Sequence, residues 1–192
     1  MVKRAARSAA GLTLVELLVG LGLVLAAAAI LATLARTTLG AWRRAAAHAA
    51  ATDEALGALE HLTRDLRVAG YDPLGRGVGG LVNAAADRVT ITADLDGDGR
   101  IDARSAEHVA YQRARGSGDL LRVVGRQALP ILSALAPDGL TLTYRDAEGG
   151  LVDASRPEGA RAVRTVAVAL ATRAAPPRPA IRVAGGARLL NR

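Results

Sequence analysis

Between Leu17 and Leu34 the chain reads LLVGLGLVLAAAAILATL, eighteen residues without a charge. Joined to Leu12–Val15, the segment reaches the length a helix needs to cross a hydrocarbon core, about 20 residues. A segment of this kind spans lipid or is removed as a signal, and either fate dictates where the rest of the chain folds. The leader before it carries Lys3, Arg4 and Arg7 and no acid. One residue breaks the apolar block, Glu16, close to its start. An acid deep in a membrane span costs about 2.5–3.5 kcal/mol, and the acids that persist there mark function. Near the end of a span the cost falls, and the dipole of a helix N-terminus favours a carboxylate.

Composition removes several classes. The 192 residues contain no cysteine, so there is no disulfide framework, thiolate metal site or cysteine nucleophile. Phenylalanine is absent and Trp42 is the only tryptophan, so the core must be built from Leu, Val, Ile and Ala. The net charge of +7 raises the question of nucleic acid. However, the arginines (Arg64, Arg88, Arg122, Arg145, Arg164) are dispersed rather than striped, and aromatic platforms for bases are few. Solvated surface charge accounts for them, and a nucleic-acid partner is not expected.

The stretch Gly11-Leu12-Thr13-Leu14-Val15-Glu16-Leu17-Leu18, behind its basic leader, resembles the processing and methylation signal of type IV prepilins and type II secretion pseudopilins. The sequence Arg64-Asp65-Leu66-Arg67-Val68-Ala69-Gly70-Tyr71-Asp72-Pro73 is similar to the helix end of the PilW-like minor pilins. The resemblance implies that a prepilin peptidase cuts after Gly11 and methylates the new amine of Leu12. It departs from the family's commoner pattern in having Leu12 where phenylalanine is more frequent. It further implies a single-pass inner-membrane protein with its head outside the cytoplasm, which joins other pilin subunits through its N-terminal helix.

In that setting Glu16 would lie about 6 Å along the helix from the new terminus. There it can pair with the ammonium of a staggered neighbour and set the register of assembly. An ordinary secretory signal is the competing reading, with Leu12–Leu25 as its apolar region and a cut near Ala26–Ala29. Glu16 argues against it. Counting basic residues does not orient the span, because Lys3, Arg4 and Arg7 are balanced by Arg36, Arg43 and Arg44 beyond it.

The expected organisation is a cleaved leader over 1–11, a transmembrane half-helix over 12–36, an extramembrane half over 37–70 and a β-rich head over 71–192. Leu56, Leu59, Leu62 and Leu66 line one helical face, and Gly70 with Pro73 stops the helix. The fold class is therefore α+β and pilin-like, a long N-terminal helix packed on a mainly antiparallel sheet. Strands are expected where apolar and polar residues alternate: Val89–Ala93 as a half-buried strand, and Val109–Arg113 turning through Arg115–Gly118 into Leu120–Val124. Further strands are expected at Leu140–Arg145, Arg164–Thr172 and Ile181–Ala184. Gly75, Gly77 and Gly80 match a G-x-G-x-x-G pattern but follow a helix and a proline, so they read as a flexible loop rather than a dinucleotide site.

One loop of the head has ligand chemistry. Asp94, Asp96, Asp98 and Asp102 occupy the first, third, fifth and ninth positions of an EF-hand-like calcium loop, with Gly99 sixth and the Arg100 carbonyl seventh. The twelfth position is Ser105 instead of a bidentate glutamate, and an acidic Asp-Gly turn without an ion is the alternative. Calcium is the one cofactor the sequence suggests. His48, His61 and His108 have no metal-ligand spacing, and Ser117 lacks the strand–nucleophile–helix context of a catalytic serine. The chain reads as the substrate of an enzyme and not as an enzyme. The functional expectation is a minor type IV pilin-like subunit acting in initiation or at the tip. The alternatives are a minor pseudopilin of a type II secretion system and, from another class, a secreted or signal-anchored calcium-binding module.

Overall fold

The computed structural model describes residues 13–191, and Gly11 and Leu12 therefore lie outside the described residues. Two compact units meet in sequence after Ala45. Helix α1, Leu14–Val68, runs through both.

In the first unit none of the described residues is buried. Leucine and alanine supply high helix propensity, which carries the helix past Gly20 and Gly22. The hydroxyls here turn back on the backbone: Thr33 Oγ1 donates to the Ala29 carbonyl at 2.8 Å and Thr38 Oγ1 to the Leu34 carbonyl at 2.8 Å. Between Glu16 and Arg36 the surface is thus apolar all round, with its one hydroxyl, that of Thr33, satisfied internally. It is long and apolar enough to cross a membrane, and its exposure distinguishes it from the core helix of a soluble protein.

The second unit holds the core. Along α1, Ala51, Ala55, Ala58, Leu59, Leu62 and Leu66 are buried, one face at spacings of three and four. The alanines allow the sheets to come near. At Gly185 an added Cβ would meet Leu59 Cδ2 at 3.2 Å, so the strand packs closely against the helix there. Gly70, with φ +73°, ends the helical path, and its N–H donates to the Thr92 carbonyl at 2.9 Å.

Beyond the helix the chain forms β1 (Leu81–Val82), β2 (Arg88–Thr92), β3 (His108–Arg113), β4 (Leu120–Val124) and β5 (Gln127–Leu132), then β6 (Leu135–Arg145), helix α2 (Pro157–Ala162), β7 (Thr165–Thr172) and β8 (Arg182–Arg188). The first five strands make one antiparallel sheet in sequence order, and β6-β7-β8 make a second. The expected α+β, pilin-like class is what the chain adopts, with two sheets sharing one core.

Three local expectations change. The strand Val89–Ala93 is covered on both faces: Thr90 and Thr92 are buried, and the Thr92 hydroxyl donates to the Gly79 carbonyl. The glycine loop that covers it is organised by Asp72, whose Oδ2 accepts the Gly77 and Val78 N–H groups at 2.7 and 3.1 Å. Strand β5 is additional, and Pro130 within it is tolerated because the strand lies at a sheet edge. Strand β6 starts before Leu140, at Leu135, by way of an irregularity that accommodates Pro137 and Gly139.

Two polar clusters tie α1 to the sheets. Asp65 Oδ2 accepts the Tyr111 hydroxyl at 2.7 Å and Arg122 Nε at 2.9 Å. Burial, together with the Asp65 charge, pushes the Tyr111 phenol far up, so it remains a donor. Glu54 accepts the Ser133 N–H at 2.6 Å and pairs with Arg178.

Candidate functional site

The helix start is built from two residues. Thr13 precedes the first helical residue, and its hydroxyl accepts the Glu16 N–H at 3.2 Å. In return, Glu16 Oε2 accepts the Thr13 N–H at 2.9 Å and the Thr13 hydroxyl at 2.8 Å. This is a reciprocal capping box, which satisfies two of the orphan donors of a helix start. The Thr-x-x-Glu spacing that encodes it is legible in the sequence. The capping box explains how Glu16 is held in a single chain: its charge faces helix-start donors rather than bare apolar surface.

The second candidate lies between β2 and β3. Its local fold follows from the aspartates, three of which take the N–H group two residues on. Asp96 Oδ1 accepts from Asp98 at 3.0 Å, Asp98 Oδ1 from Arg100 at 2.7 Å and Asp102 Oδ1 from Arg104 at 2.9 Å. Gly97 and Gly99, at φ +77° and +78°, supply the left-handed turns between them. Asp94 is fully buried, and its two oxygens accept the Gly97 and Gly99 N–H groups at 2.8 and 2.9 Å.

The carboxylates that converge are Asp94, Asp96 and Glu107, with one oxygen from each within 4.8 Å of the others. Glu107 was not among the residues expected from the sequence. It is buried immediately before β3, where Oε1 accepts the Leu95 and Asp96 N–H groups and Oε2 accepts the Asp102 N–H. No fixed spacing announces it, since it falls fourteenth in the count from Asp94 rather than twelfth. Asp98 and Asp102 are not among these three. The turns closed by Asp96, Asp98 and Asp102 set the loop's course.

Charge in the loop pulls in two directions. The Asp102 N–H, followed by those of Asp96 and Leu95, holds the Glu107 carboxyl below its ordinary range against the cost of burial. For Asp96, the bond from the Asp98 N–H favours the carboxylate. Desolvation and the charges of Asp98, Glu107 and Asp94 together outweigh it and raise its pKa. Three oxygens of this kind form a hard, anionic donor set suited to a divalent cation such as calcium.

No protein-family model matches the chain, and no curated protein matches it.

Proposed function

We propose that this chain is a minor type IV pilin-like subunit. In this reading a prepilin peptidase removes residues 1–11, and the mature chain begins at N-methylated Leu12. The apolar half of α1 spans the inner membrane with the head outside the cytoplasm. Subunits then assemble through these helices at the initiating or tip-proximal part of a pilus. The observation that carries the reading is one uninterrupted helix, Leu14–Val68, with two opposite surfaces. It is exposed and apolar over its first half, with one acid in its first turn, and buried along one face against β-sheet over its second.

Glu16 is the assembly residue of this proposal. In the single chain its carboxylate is held by Thr13; in a filament the α-ammonium of a neighbouring subunit replaces hydrogen bonding with a full opposite charge. Burying a paired charge is tolerable where burying a lone one is not, so pairing selects one register. Co-expression with a prepilin peptidase followed by intact-mass measurement should give a chain starting at methylated Leu12. A terminus within Ala26–Leu34 would overturn the reading in favour of a secretory signal. Glu16→Ala should leave the chain in the membrane fraction and abolish its incorporation into filaments.

A minor pseudopilin of a type II secretion system shares every one of these features. Loss of surface pili, as against loss of secreted enzymes, on deletion separates the two. The acidic loop supports a second element, a weak calcium site in the head made by Asp94, Asp96 and Glu107. Calcium should raise the melting temperature of the full chain in detergent relative to chelator, by mass action, and Glu107→Gln should remove the difference. Equal melting in calcium and chelator would reduce the loop to a turn. A chain that binds calcium but is cut within Ala26–Leu34 would instead be a secreted or signal-anchored calcium module.

A further inference from the structure

The three-stranded sheet ends on β8, and the hydrogen-bond parity of that strand is fixed at both ends. The Thr172 N–H donates to the Ile181 carbonyl and the Leu189 N–H to the Arg164 carbonyl, each at 2.9 Å. With Val166 opposite Ala187 and Val168 opposite Gly185, the odd-numbered residues Val183, Gly185 and Ala187 face β7 with their N–H and C=O groups. Arg182, Ala184, Gly186 and Arg188 therefore turn theirs outward, and among the described residues these groups have no partner.

The other edges are closed or blunted. On β6 the Leu142 N–H donates to the Ala86 carbonyl and the Tyr144 carbonyl accepts the Val152 N–H, so its outer side is already covered. In the five-stranded sheet β1 is two residues long and β5 contains Pro130. Short edges, prolines and charges along the strand are usual protections against further strand pairing; on β8 charges stand only at the two ends, and the first two protections are missing. Its centre, Val183-Ala-Gly-Gly-Ala187, is small, uncharged and free of proline.

Charge identifies what fits this edge. Arg182 and Arg188 are exposed at its two ends and form no ion pair among the described residues. They share one face of the strand, about 20 Å apart. Neither β7 nor β8 contains an acid. A second copy pairing antiparallel along the full strand would set Arg182 against Arg188 twice, and like charges directly opposite destabilise a ladder.

We propose that β8 is a docking edge for an extended segment of another protein, which adds as a fourth strand and carries two carboxylates six residues apart. The backbone ladder supplies the binding, and the two arginines supply register and selectivity. This surface does not depend on the pilin reading, and either can fail alone.

The probe is a fluorescein-labelled, end-capped peptide, Glu-Val-Thr-Val-Thr-Val-Glu. Its anisotropy is measured on the full chain in detergent, against the same peptide with lysine at both ends. The acidic peptide should bind, and the basic one should bind markedly more weakly. Replacing both arginines (Arg182→Glu with Arg188→Glu) should weaken the acidic peptide by about two- to thirtyfold, the range for two lost cross-strand charge pairs. Ala184→Pro removes an outward N–H that β7 does not use, so it should abolish binding while the head melts as before. Hydrogen exchange gives a second reading. The acidic peptide should slow the amides of Arg182, Ala184, Gly186 and Arg188 and leave the already protected Val183, Gly185 and Ala187 unchanged. Equal binding of the two peptides, binding that survives Ala184→Pro, uniform slowing along β8, or self-association of the chain through this edge would each overturn the proposal.

Discussion

The two halves of α1 are made from the same few residue types, yet they meet opposite surroundings. Ala26–Ala29 and the leucines around them are exposed, and nothing in the first unit buries them. Ala51, Ala55 and Ala58 have nearly no exposed surface, and Leu62 and Leu66 have none. Hydrophobic residues alone therefore do not place a helix in a core. What differs is arrangement: the second half interrupts its apolar stripe with Asp53, Glu54, Glu60, Arg64, Asp65 and Arg67, whereas the first half, between Glu16 and Arg36, has no polar face to turn towards water. A helix apolar on every side needs an apolar solvent, and a helix apolar on one side needs a sheet.

That contrast can be broken most forcefully from the head side. Leu62→Ala should cost about 2–5 kcal/mol of head stability, the range for emptying a fully buried leucine site. Chemical denaturation of the full chain in detergent reads the loss, and the share of chain recovered in membranes should not change.

The reciprocal change lies in the other half. Leu25 is 61% exposed. Leu25→Arg should disfavour membrane insertion by about 2.5–3.5 kcal/mol and shift the chain out of the membrane fraction while the head melts as before. If Leu25→Arg instead lowered head stability as much as Leu62→Ala does, the two halves would not be energetically separate.

The smallest effect sharpens the comparison through pH. Asp119 joins the β3–β4 turn to the start of β6: its Oδ1 accepts the Ala134 N–H at 3.0 Å. The Ser117 hydroxyl, the Ala134 amide and the Arg173 charge hold its carboxyl below the ordinary 3.8. A depressed carboxyl contributes stability that is complete above its unfolded pKa and is lost as pH falls through the folded one. Asp119→Asn should therefore lower head melting slightly at neutral pH and flatten the decline below about pH 4. Membrane recovery, governed by the apolar half, should show no such limb.

Much of this was readable in advance wherever the signal is carried by near neighbours. The stop at Gly70 follows from a residue free to adopt positive φ just before a proline, and the β3–β4 hairpin follows from alternation on either side of a glycine turn. The Thr13–Glu16 capping box is encoded by four consecutive residues. Strand β5 was obscured because Pro130 argues against a strand unless one knows that it lies at an edge. The burial of Thr92 depends on a loop that only the folded chain lays across it.

The sequence by itself determined the apolar half of the helix, the amphipathic half that follows and the β character of the head. Each is a periodicity of side chains along a few turns or one strand, and such patterns have only one way to hide their apolar surface. Folding in three dimensions divided the strands into two sheets, brought Asp65 and Tyr111 together across the core and left β8 open. Folding also brought Glu107 to Asp94 and Asp96. The physical reason is that a carboxylate's partners are chosen by where backbone N–H groups and strand ends arrive in space, and no spacing along the chain states that in advance.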